Sequence, residues 1–299
     1  MPAHDLDRID APVRPPNDFL VYGAPLIEEP EISEVVGSME TAWLGTGPKV
    51  ARFEDEFRAY KSAANAIAVN SCTAALHLSL LAAGIGPGDE VITSALTFCA
   101  TVNAIIHAGA TPVLADVDPV SQNIDPADVE SRVTSRTRAI IPVHFAGRAC
   151  DMEKLLAVTR KHGLELIEDC AHAVETEYHG QAAGTFGRFG SFSFYATKNI
   201  TCGEGGMIVA RDAEDADRIK VLALHGMSKD AWRRFGDAGY RHYDVTDAGF
   251  KYNMMDLQAA IGIHQLRRVE QNWQRRRGLW ALLKQELDDT NLMLLSLIH

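Results

Sequence analysis

The chain has 299 residues, which is long enough to bury the core of one large domain or two smaller ones. Hydrophobic residues make up 46% and charged residues 23%, near the averages of soluble globular proteins, which argues against a disordered chain, a collagen or a disulfide scaffold. The 29 basic and 40 acidic residues give a net charge of −11, the wrong sign for a protein that neutralises nucleic-acid phosphates.

The first predicted elements are an irregular arm and two helices. Residues 1–20 combine prolines with mixed charge, which is typical of irregular chain. From residue 31, apolar residues recur at helical spacing and predict a helix; they are Ile32, Val35, Val36 and Met39. After a Gly-Pro break, residues 50–61 predict a second helix that Pro48 introduces.

Short apolar strands then alternate with helical stretches over the next hundred residues. The predicted strands are 66–69, 90–93, 111–117, 139–144 and 164–168. The predicted helices between them are 73–83, 97–107, 126–133 and 151–162. This alternation is typical of β-α-β units, so we predict an α/β protein whose mostly parallel sheet carries helices on both faces.

The last third of the chain changes its pattern. Two closely spaced strands, 191–195 and 206–209, are joined by a glycine-rich turn, and a helix at 213–224 follows. Residues 226–249 predict a long loop, and loops of that length are usually functional or disordered. A single long helix is expected over 256–287, with Asp256 as its N-terminal cap and an apolar tail behind it.

Targeting signals and cysteine pairs are missing from the sequence pattern. The five cysteines never form a C-x-x-C pair, so we expect reduced thiols and no metal site. The N-terminal residues lack an apolar signal core, and no apolar run approaches the roughly 18 residues of a membrane helix. These features predict a cytoplasmic protein with neither a nucleic-acid nor a membrane partner.

Two stretches at the ends of predicted strands carry groups that suit catalysis. In 70–74, small and hydroxyl residues around Thr73 join a strand to a helix, so open N–H groups there could bind a phosphate. Ordinary capping of the helix by Ser71 or Thr73 explains the same pattern. In 166–172, Glu168 and Asp169 end a buried strand, where ligands of parallel sheets bind, although such an acid can also simply face solvent.

Two further stretches supply a lysine and an amide. Lys198 follows an apolar strand, and burial there would favour its neutral, nucleophilic amine; a surface lysine is the alternative. Residues 249–256 mix aromatic residues with Asn253, for which helix capping is the alternative. Residues 84–88 are a glycine turn and not a dinucleotide-binding loop, because they follow a helix.

One cofactor accounts for these stretches together. Pyridoxal phosphate needs a lysine for its aldehyde, a carboxylate at its pyridine nitrogen and a phosphate cradle. Lys198, Asp169 and Thr73 provide one candidate for each task.

The motifs of the chain resemble those of the DegT/DnrJ/EryC1/StrS sugar aminotransferases, a branch of the fold-type I pyridoxal phosphate enzymes. The resemblance runs from about residue 31 to the end, and it is most specific at 43–57, 70–94, 167–173, 192–209 and 249–262. It implies a central sheet of seven-stranded type with helices on both faces. It also implies an obligate homodimer with shared active sites.

The resemblance assigns roles residue by residue. It implies that Lys198 is the Schiff-base lysine that also transfers the proton, that Asp169 is the partner of the pyridine nitrogen, and that His172 lies beside the phenolic oxygen of the cofactor. The remaining implied cofactor contacts are Phe98 on the ring face and Thr73, Ala74, Ser193 and, from the other subunit, Asn253 at the phosphate.

The implied reaction moves an amino group from glutamate to a keto-sugar carried on a nucleotide. The wording of the motifs is closest to enzymes that aminate a 4-keto nucleotide sugar, such as UDP-4-amino-4-deoxy-arabinose aminotransferase; a 3-keto sugar stays open. Residues 43–47 and the arginines of the long loop (Arg233, Arg234 and Arg241) are candidate substrate contacts, and a solvated loop is the alternative. Related enzymes with aminobenzoate-type or dehydrating reactions are alternatives, although the dehydratases carry histidine where Lys198 stands.

The domain organisation expected from the resemblance has three parts. They are an irregular arm (1–20), a large cofactor-binding domain (21–255), and a long helix that starts a small C-terminal domain (256–299). The family continues beyond this length, so we expect the small domain to be incomplete. A shortened, non-catalytic protein that binds the cofactor or a full-length partner is therefore a further hypothesis.

Overall fold

The strands and helices follow the predicted alternation closely. The computed structural model describes residues 19, 21, 23–228, 244–287 and 290. The N-terminal arm, the three loop arginines and the apolar tail named above lie outside the described residues, apart from Phe19.

Seven strands form the main sheet and two form a small hairpin. The main strands are β1 (Asn65–Val69), β2 (Glu90–Ser94), β3 (Thr111–Ala115), β4 (Thr137–Ile141), β5 (Glu165–Asp169), β8 (Phe189–Ser193) and β9 (Gly206–Ala210). The hairpin consists of β6 (Glu177–Tyr178) and β7 (Gln181–Ala182), which the sequence pattern did not predict.

Nine α-helices accompany the strands within the described part of the chain. They are α1 (Glu29–Glu40), α2 (Pro48–Tyr60), α3 (Cys72–Ala82), α4 (Cys99–His107), α5 (Pro126–Ser131), α6 (Met152–His162), α7 (Ala213–Ala223), α8 (Asp256–Arg267) and α9 (Val269–Glu286). None of these helices is both long and apolar enough to cross a membrane.

The main sheet is mostly parallel, which confirms the predicted architecture. Its strand order is β1-β9-β8-β5-β4-β2-β3. β9 runs antiparallel to both of its neighbours, and the other pairs are parallel. The direction of β9 follows from its connection, because the segment between β8 and β9 contains no crossover helix of the kind that parallel neighbours need.

Successive residues of the strands enter different layers of the core. In β1, Ile67 packs with α3 and α7, while Ala66 and Ala68 pack toward α2 and α8. Phe192 of β8 and Phe194, which directly follows this strand, contact Phe57 of α2 at ring-centroid distances of 5.0 and 5.6 Å. Because a strand turns alternate side chains to opposite faces, helices cover the sheet on both sides.

The predicted long helix is two helices, and Asp256 does not have the predicted capping role. Met255 is the N-cap of α8, and the carboxylate of Asp256 instead accepts N–H donors from the start of α2, at Gly47 (2.8 Å) and Val50 (3.0 Å). The helix breaks at Arg268, whose guanidinium binds the Glu31 carboxylate and donates to the carbonyl of Leu26 at 2.9 Å. Contacts with distant parts of the chain therefore set both features.

Helix α1 turns its polar side inward. Glu31 and Ser38 are its buried residues, and Glu34 forms an ion pair with Lys49 at 3.0 Å. Three of the four apolar residues that predicted this helix lie on its outer side, where Met39 is 63% exposed and Ile32 and Val36 are also exposed. The periodicity thus predicted the helix correctly, but not the direction in which its apolar face points.

Candidate active site

The carboxyl ends of five strands meet at one edge of the sheet and surround a cavity of about 380 Å³. Ser71 follows β1, Phe98 follows β2, Val143 follows β4, Asp169 ends β5 and Ser193 ends β8. Ligands of parallel α/β sheets bind at this edge, because the strand ends and the helix N-termini converge there. The cavity is therefore the candidate active site.

Asp169 lies in the wall of this cavity and is only 5% exposed. The Thr101 hydroxyl donates to its Oδ2 at 2.8 Å, and the Ala171 N–H donates to its Oδ1 at 3.1 Å. Thr97 and Thr101 lie 2.7 Å apart through their hydroxyl oxygens. Because Thr101 gives its only hydroxyl proton to Asp169, Thr97 is the donor of that second bond. Two hydroxyls in series therefore fix the orientation of the carboxylate.

Glu168, the neighbouring carboxylate, serves the scaffold and does not line the cavity. It is fully buried, and its oxygens accept the N–H groups of Gly184, Phe186 and Gly187, each at 2.8 Å. His144 contacts it at 3.1 Å through Nε2 and accepts the Cys150 N–H at Nδ1, so Nε2 carries the proton. The sequence selected Asp169 and gave Glu168 no role; because successive residues of a strand point to opposite faces, Glu168 lies on the other side of the sheet from the Asp169 carboxylate.

The same buried cluster offers three groups that metal ions commonly bind. The ligand atoms of His144, Glu168 and Cys170 lie within 4.8 Å of one another. However, both oxygens of Glu168 already accept two donors each, three from backbone N–H groups and one from His144. These hydrogen bonds satisfy the buried charge and explain the cluster as a structural one.

Lys198 reaches the cavity from the turn that follows β8. Its backbone N–H donates to the carbonyl of Tyr195 at 2.9 Å, which closes this turn. The side chain is half-buried, and burial lowers the pKa of its amine. Among the described residues, no hydrogen-bond acceptor binds the amine. A lowered pKa increases the neutral, nucleophilic fraction of such an amine.

His172 and Phe98 lie at the rim of the cavity. The Phe98 ring is 76% exposed although it stands beside an apolar pocket, and large exposed aromatics of this kind commonly mark a contact surface. The pKa of His172 is lowered by burial first and by the nearby charge of Lys198 second. A lowered pKa favours the neutral imidazole, which can donate or accept a hydrogen bond near neutral pH.

The N-terminus of α3 forms another wall of the cavity. The Ser71 hydroxyl accepts the Ala74 N–H at 3.1 Å, so Ser71 is the cap of this helix. Cys72 and Thr73 occupy the first turn, whose N–H groups have no intrahelical partner. A Cβ on Gly206 would lie 2.6–2.8 Å from the backbone of Ser71 and Cys72, so only glycine allows β9 to approach this turn. These groups and Ser193 form a cradle suited to an anion.

Two predicted contacts are not part of this lining. Ala74 is buried, and its N–H already binds Ser71. Asn253 pairs with Val69 through a β-bridge and donates to the Thr46 hydroxyl at 2.6 Å, while its buried Oδ1 has no partner among the described residues. Thr46 in turn donates to the carbonyl of Met254 at 2.5 Å, which fixes the orientation of the Asn253 amide.

The cavity also contains residues that the sequence reasoning did not select. Ser71, Thr97, Thr101 and Tyr195 line it. A signal for Thr101 was available, because it lies three residues after Phe98, in the first turn of α4. No local signal pointed to its contact with Asp169, which lies 68 residues further along the chain.

The residues present fit pyridoxal phosphate. The cavity combines an amine without an acceptor among the described residues, a fixed carboxylate, an exposed aromatic ring and an anion cradle at a helix N-terminus. The fold and the cavity together define a fold-type I pyridoxal-phosphate-dependent enzyme.

Comparison with known proteins refines this class. The chain belongs to the DegT/DnrJ/EryC1/StrS aminotransferase family, whose model matches residues 25–298. The family comprises pyridoxal-phosphate-dependent sugar aminotransferases, which confirms the predicted enzyme class and cofactor.

Relatives and solved structures agree with this assignment. The chain is 56% identical over 260 residues to spore coat polysaccharide biosynthesis protein SpsC of Bacillus subtilis, covering 87% of this chain and 67% of that protein. Its structure resembles the pyridoxamine-phosphate (PMP) form of the putative sugar aminotransferase Spr1654 from Streptococcus pneumoniae, with a TM-score of 0.86, 34% identity and coverage of 91% and 73%. It also resembles Helicobacter pylori PseC, an aminotransferase involved in pseudoaminic acid biosynthesis (TM-score 0.84, 28% identity, coverage 92% and 72%).

Proposed function

We propose that this protein transfers the amino group of glutamate to the keto group of a sugar carried on a nucleotide, with a 4-keto sugar as the first candidate and a 3-keto sugar as the second. The observation that carries the proposal is the presence of Lys198 and a fixed Asp169 in one cavity. Further support comes from the similar proteins, which are named as a putative sugar aminotransferase, an aminotransferase involved in pseudoaminic acid biosynthesis and a spore coat polysaccharide biosynthesis protein.

In this proposal, each side chain of the cavity has one task. Thr73, Ser193 and the N–H groups at the start of α3 would hold the cofactor phosphate, Phe98 would contact the cofactor ring, and His172 would contact its phenolic oxygen. Asp169 would keep a proton on the pyridine nitrogen, and the hydrogen bond from Thr101 holds the Asp169 carboxylate in one orientation. When bound, pyridoxal phosphate supplies an electron sink for the carbon that carries the amino group.

Lys198 has the second chemical task. Its Nζ would anchor the cofactor and would move a proton to and from the reacting carbon of the substrate, because burial lowers the pKa of this amine and so increases the neutral fraction that can accept a proton. A histidine at this position would favour the dehydrating relatives, so Lys198 supports amino transfer over that alternative.

The reaction can be tested in its two halves. We expect the protein with bound pyridoxal phosphate to release 2-oxoglutarate from glutamate, and then to aminate a UDP-linked 4-keto sugar, detected by mass spectrometry. The corresponding UDP-sugar with a hydroxyl in place of the keto group is the control substrate and should stay unchanged. Release of 2-oxoglutarate without amination of any 3-keto or 4-keto nucleotide sugar would contradict the proposed acceptor.

We further propose a homodimer with shared active sites, in which Asn253 reaches the cofactor phosphate of the other subunit. Two observations support it: Asn253 does not line the cavity of its own chain, and α1 turns Ile32, Val36 and Met39 outward. Exposed apolar residues in one stripe are typical of a protein interface. The expected division into a large cofactor-binding domain and a small C-terminal domain stays a proposal.

The outward stripe of α1 gives a test of this dimer. The change Val36→Glu is expected to shift the molar mass measured by light scattering from that of a dimer to that of a monomer, because it puts a charge in an apolar interface. Amino transfer should fall together with the dimer. The control is Val120→Glu, an exposed valine that lies elsewhere, in the loop after β3. A monomeric parent protein, or a dimeric Val36→Glu variant, would contradict the proposal.

A further inference from the structure

A second cleft of about 490 Å³ opens directly beside the candidate active site. The two cavities share His172, Thr197 and Lys198 in their walls. A molecule whose reacting carbon lies at Lys198 can therefore extend into this cleft without leaving the protein surface. None of the residues on the far wall of this cleft has a role in the reaction proposed above.

One face of α9 forms the far wall of the cleft. The residues on this face are Trp273, Arg276, Arg277 and Trp280. They follow one another at helical spacing i, i+3, i+4 and i+7, which places them on one side of the helix. Both indole rings are half-buried at the cleft. The wall thus combines two indole rings with two guanidinium groups that lie between them.

The two arginines of this wall differ in their partners. Arg276 binds the Glu175 carboxylate at 2.8 Å and the carbonyl of Asn199 at 3.0 Å. Its charge is therefore neutralised, and it connects α9 to the residue that follows Lys198. Arg277 instead lies over the ring of Trp273, 5.2 Å from the ring centroid. No carboxylate of the described residues pairs with Arg277, so its charge is available to an anion.

We propose that this cleft holds the nucleoside diphosphate part of the substrate, with Arg277 on the phosphates and the indoles of Trp273 and Trp280 against the base. This inference rests on the proposed function, and it locates the substrate contacts on α9. A guanidinium binds phosphate oxygens through several N–H groups, and an indole face stacks on any nucleobase. An anion without an aromatic part, such as glutamate, would contact only the guanidinium group and would leave the indoles without a stacking partner.

The proposal is tested by binding, independently of turnover. UDP, GDP and inorganic pyrophosphate are titrated into the protein with bound pyridoxal phosphate, and Kd is measured by calorimetry. The change Arg277→Gln is expected to weaken all three ligands by about ten- to a hundredfold, because a charge-assisted contact is lost. The change Trp273→Ala is expected to weaken UDP and GDP by a similar factor but to leave pyrophosphate binding nearly unchanged.

Two control variants and a separate assay make the result decisive. Arg275→Gln removes an exposed arginine of the same helix that does not line the cleft, and it should bind UDP like the parent protein. Trp273→Phe should recover most of the affinity that Trp273→Ala loses. Release of 2-oxoglutarate from glutamate is recorded for every protein, and the loss in nucleotide affinity should exceed any loss in this rate.

The failure of this inference differs from the failure of the proposed function. If the parent protein aminates a nucleotide sugar but Arg277→Gln and Trp273→Ala bind UDP and GDP as tightly as the parent, only the inference is overturned. If the parent protein binds none of the three probes, the inference is overturned as well. The proposed function fails separately, when the parent protein aminates no nucleotide-linked keto-sugar.

Discussion

The change Lys198→Ala is expected to lower the rate of the proposed 2-oxoglutarate release from glutamate by a factor on the order of 10²–10⁴, because it removes the proposed general acid and base. After borohydride treatment, the cofactor should still be extractable from this variant, because the variant lacks the amine to which reduction would attach it. Lys198 is suited to both tasks because it is half-buried at the cavity and burial lowers its pKa. Single-turnover kinetics and the amount of cofactor trapped by borohydride measure the two effects.

A matched control separates this effect from a general loss of charge. Lys154, at the start of α6, is largely exposed and lies outside both cavities, so Lys154→Ala should keep the parent rate and the trapped cofactor. Full activity of Lys198→Ala, or borohydride trapping of cofactor on that variant, would end the assignment of Lys198.

The change Asp169→Asn is expected to slow the same half-reaction by about ten- to a thousandfold. An opposite charge close by shifts the pKa of a group by about 1–3 units, so the loss of the carboxylate reduces the protonated fraction at the pyridine nitrogen by a comparable factor. The amide keeps the size of the carboxylate and can still accept the Thr101 hydroxyl, so cofactor binding should persist. Stopped-flow absorbance of the bound cofactor after glutamate addition measures the rate.

Two comparison variants test whether charge and orientation act separately. Thr101→Val removes the 2.8 Å hydrogen bond but keeps the carboxylate, so a smaller loss of up to about tenfold in kcat is expected, with recovery in Thr101→Ser. Asp55→Asn, an exposed carboxylate on α2, should have the parent rate. A parent-like Asp169→Asn variant would show that the pyridine nitrogen does not depend on this residue.

These two residues illustrate how far the sequence predicts the site. The sequence predicted that Lys198, Asp169 and Thr73 serve one ligand, because pyridoxal phosphate needs a lysine, a carboxylate and a phosphate cradle. The structure brings all three to one cavity, together with Phe98, His172 and Ser193. It adds Thr101, whose contact with Asp169 depends on how α4 packs beside β5, and no local pattern encodes that packing.

The sequence did not predict which residues from distant parts of the chain contact one another. Asp256 was expected to cap its own helix, yet its carboxylate accepts N–H groups of α2, about 200 residues earlier in the chain. Arg268 interrupts an otherwise continuous helical pattern at the residue whose guanidinium binds Glu31. In both cases a side chain satisfies a charged or polar group on another element, which local propensity does not register.

By itself, the sequence determined most of the strands and helices, the mostly parallel sheet and the identity of the main cofactor-binding candidates. These properties depend on residue types and spacings within a few positions, such as period-2 strands, helical repeats and the residues that follow each strand. Only the tertiary structure decided that α1 buries its polar side, that Glu168 is a scaffold residue beside a catalytic candidate, and that α9 borders the cavity of Lys198. The physical reason is that these features arise from packing between elements far apart in the chain. Whether a charged or apolar side chain is buried there depends on the neighbouring elements and not on its own local sequence.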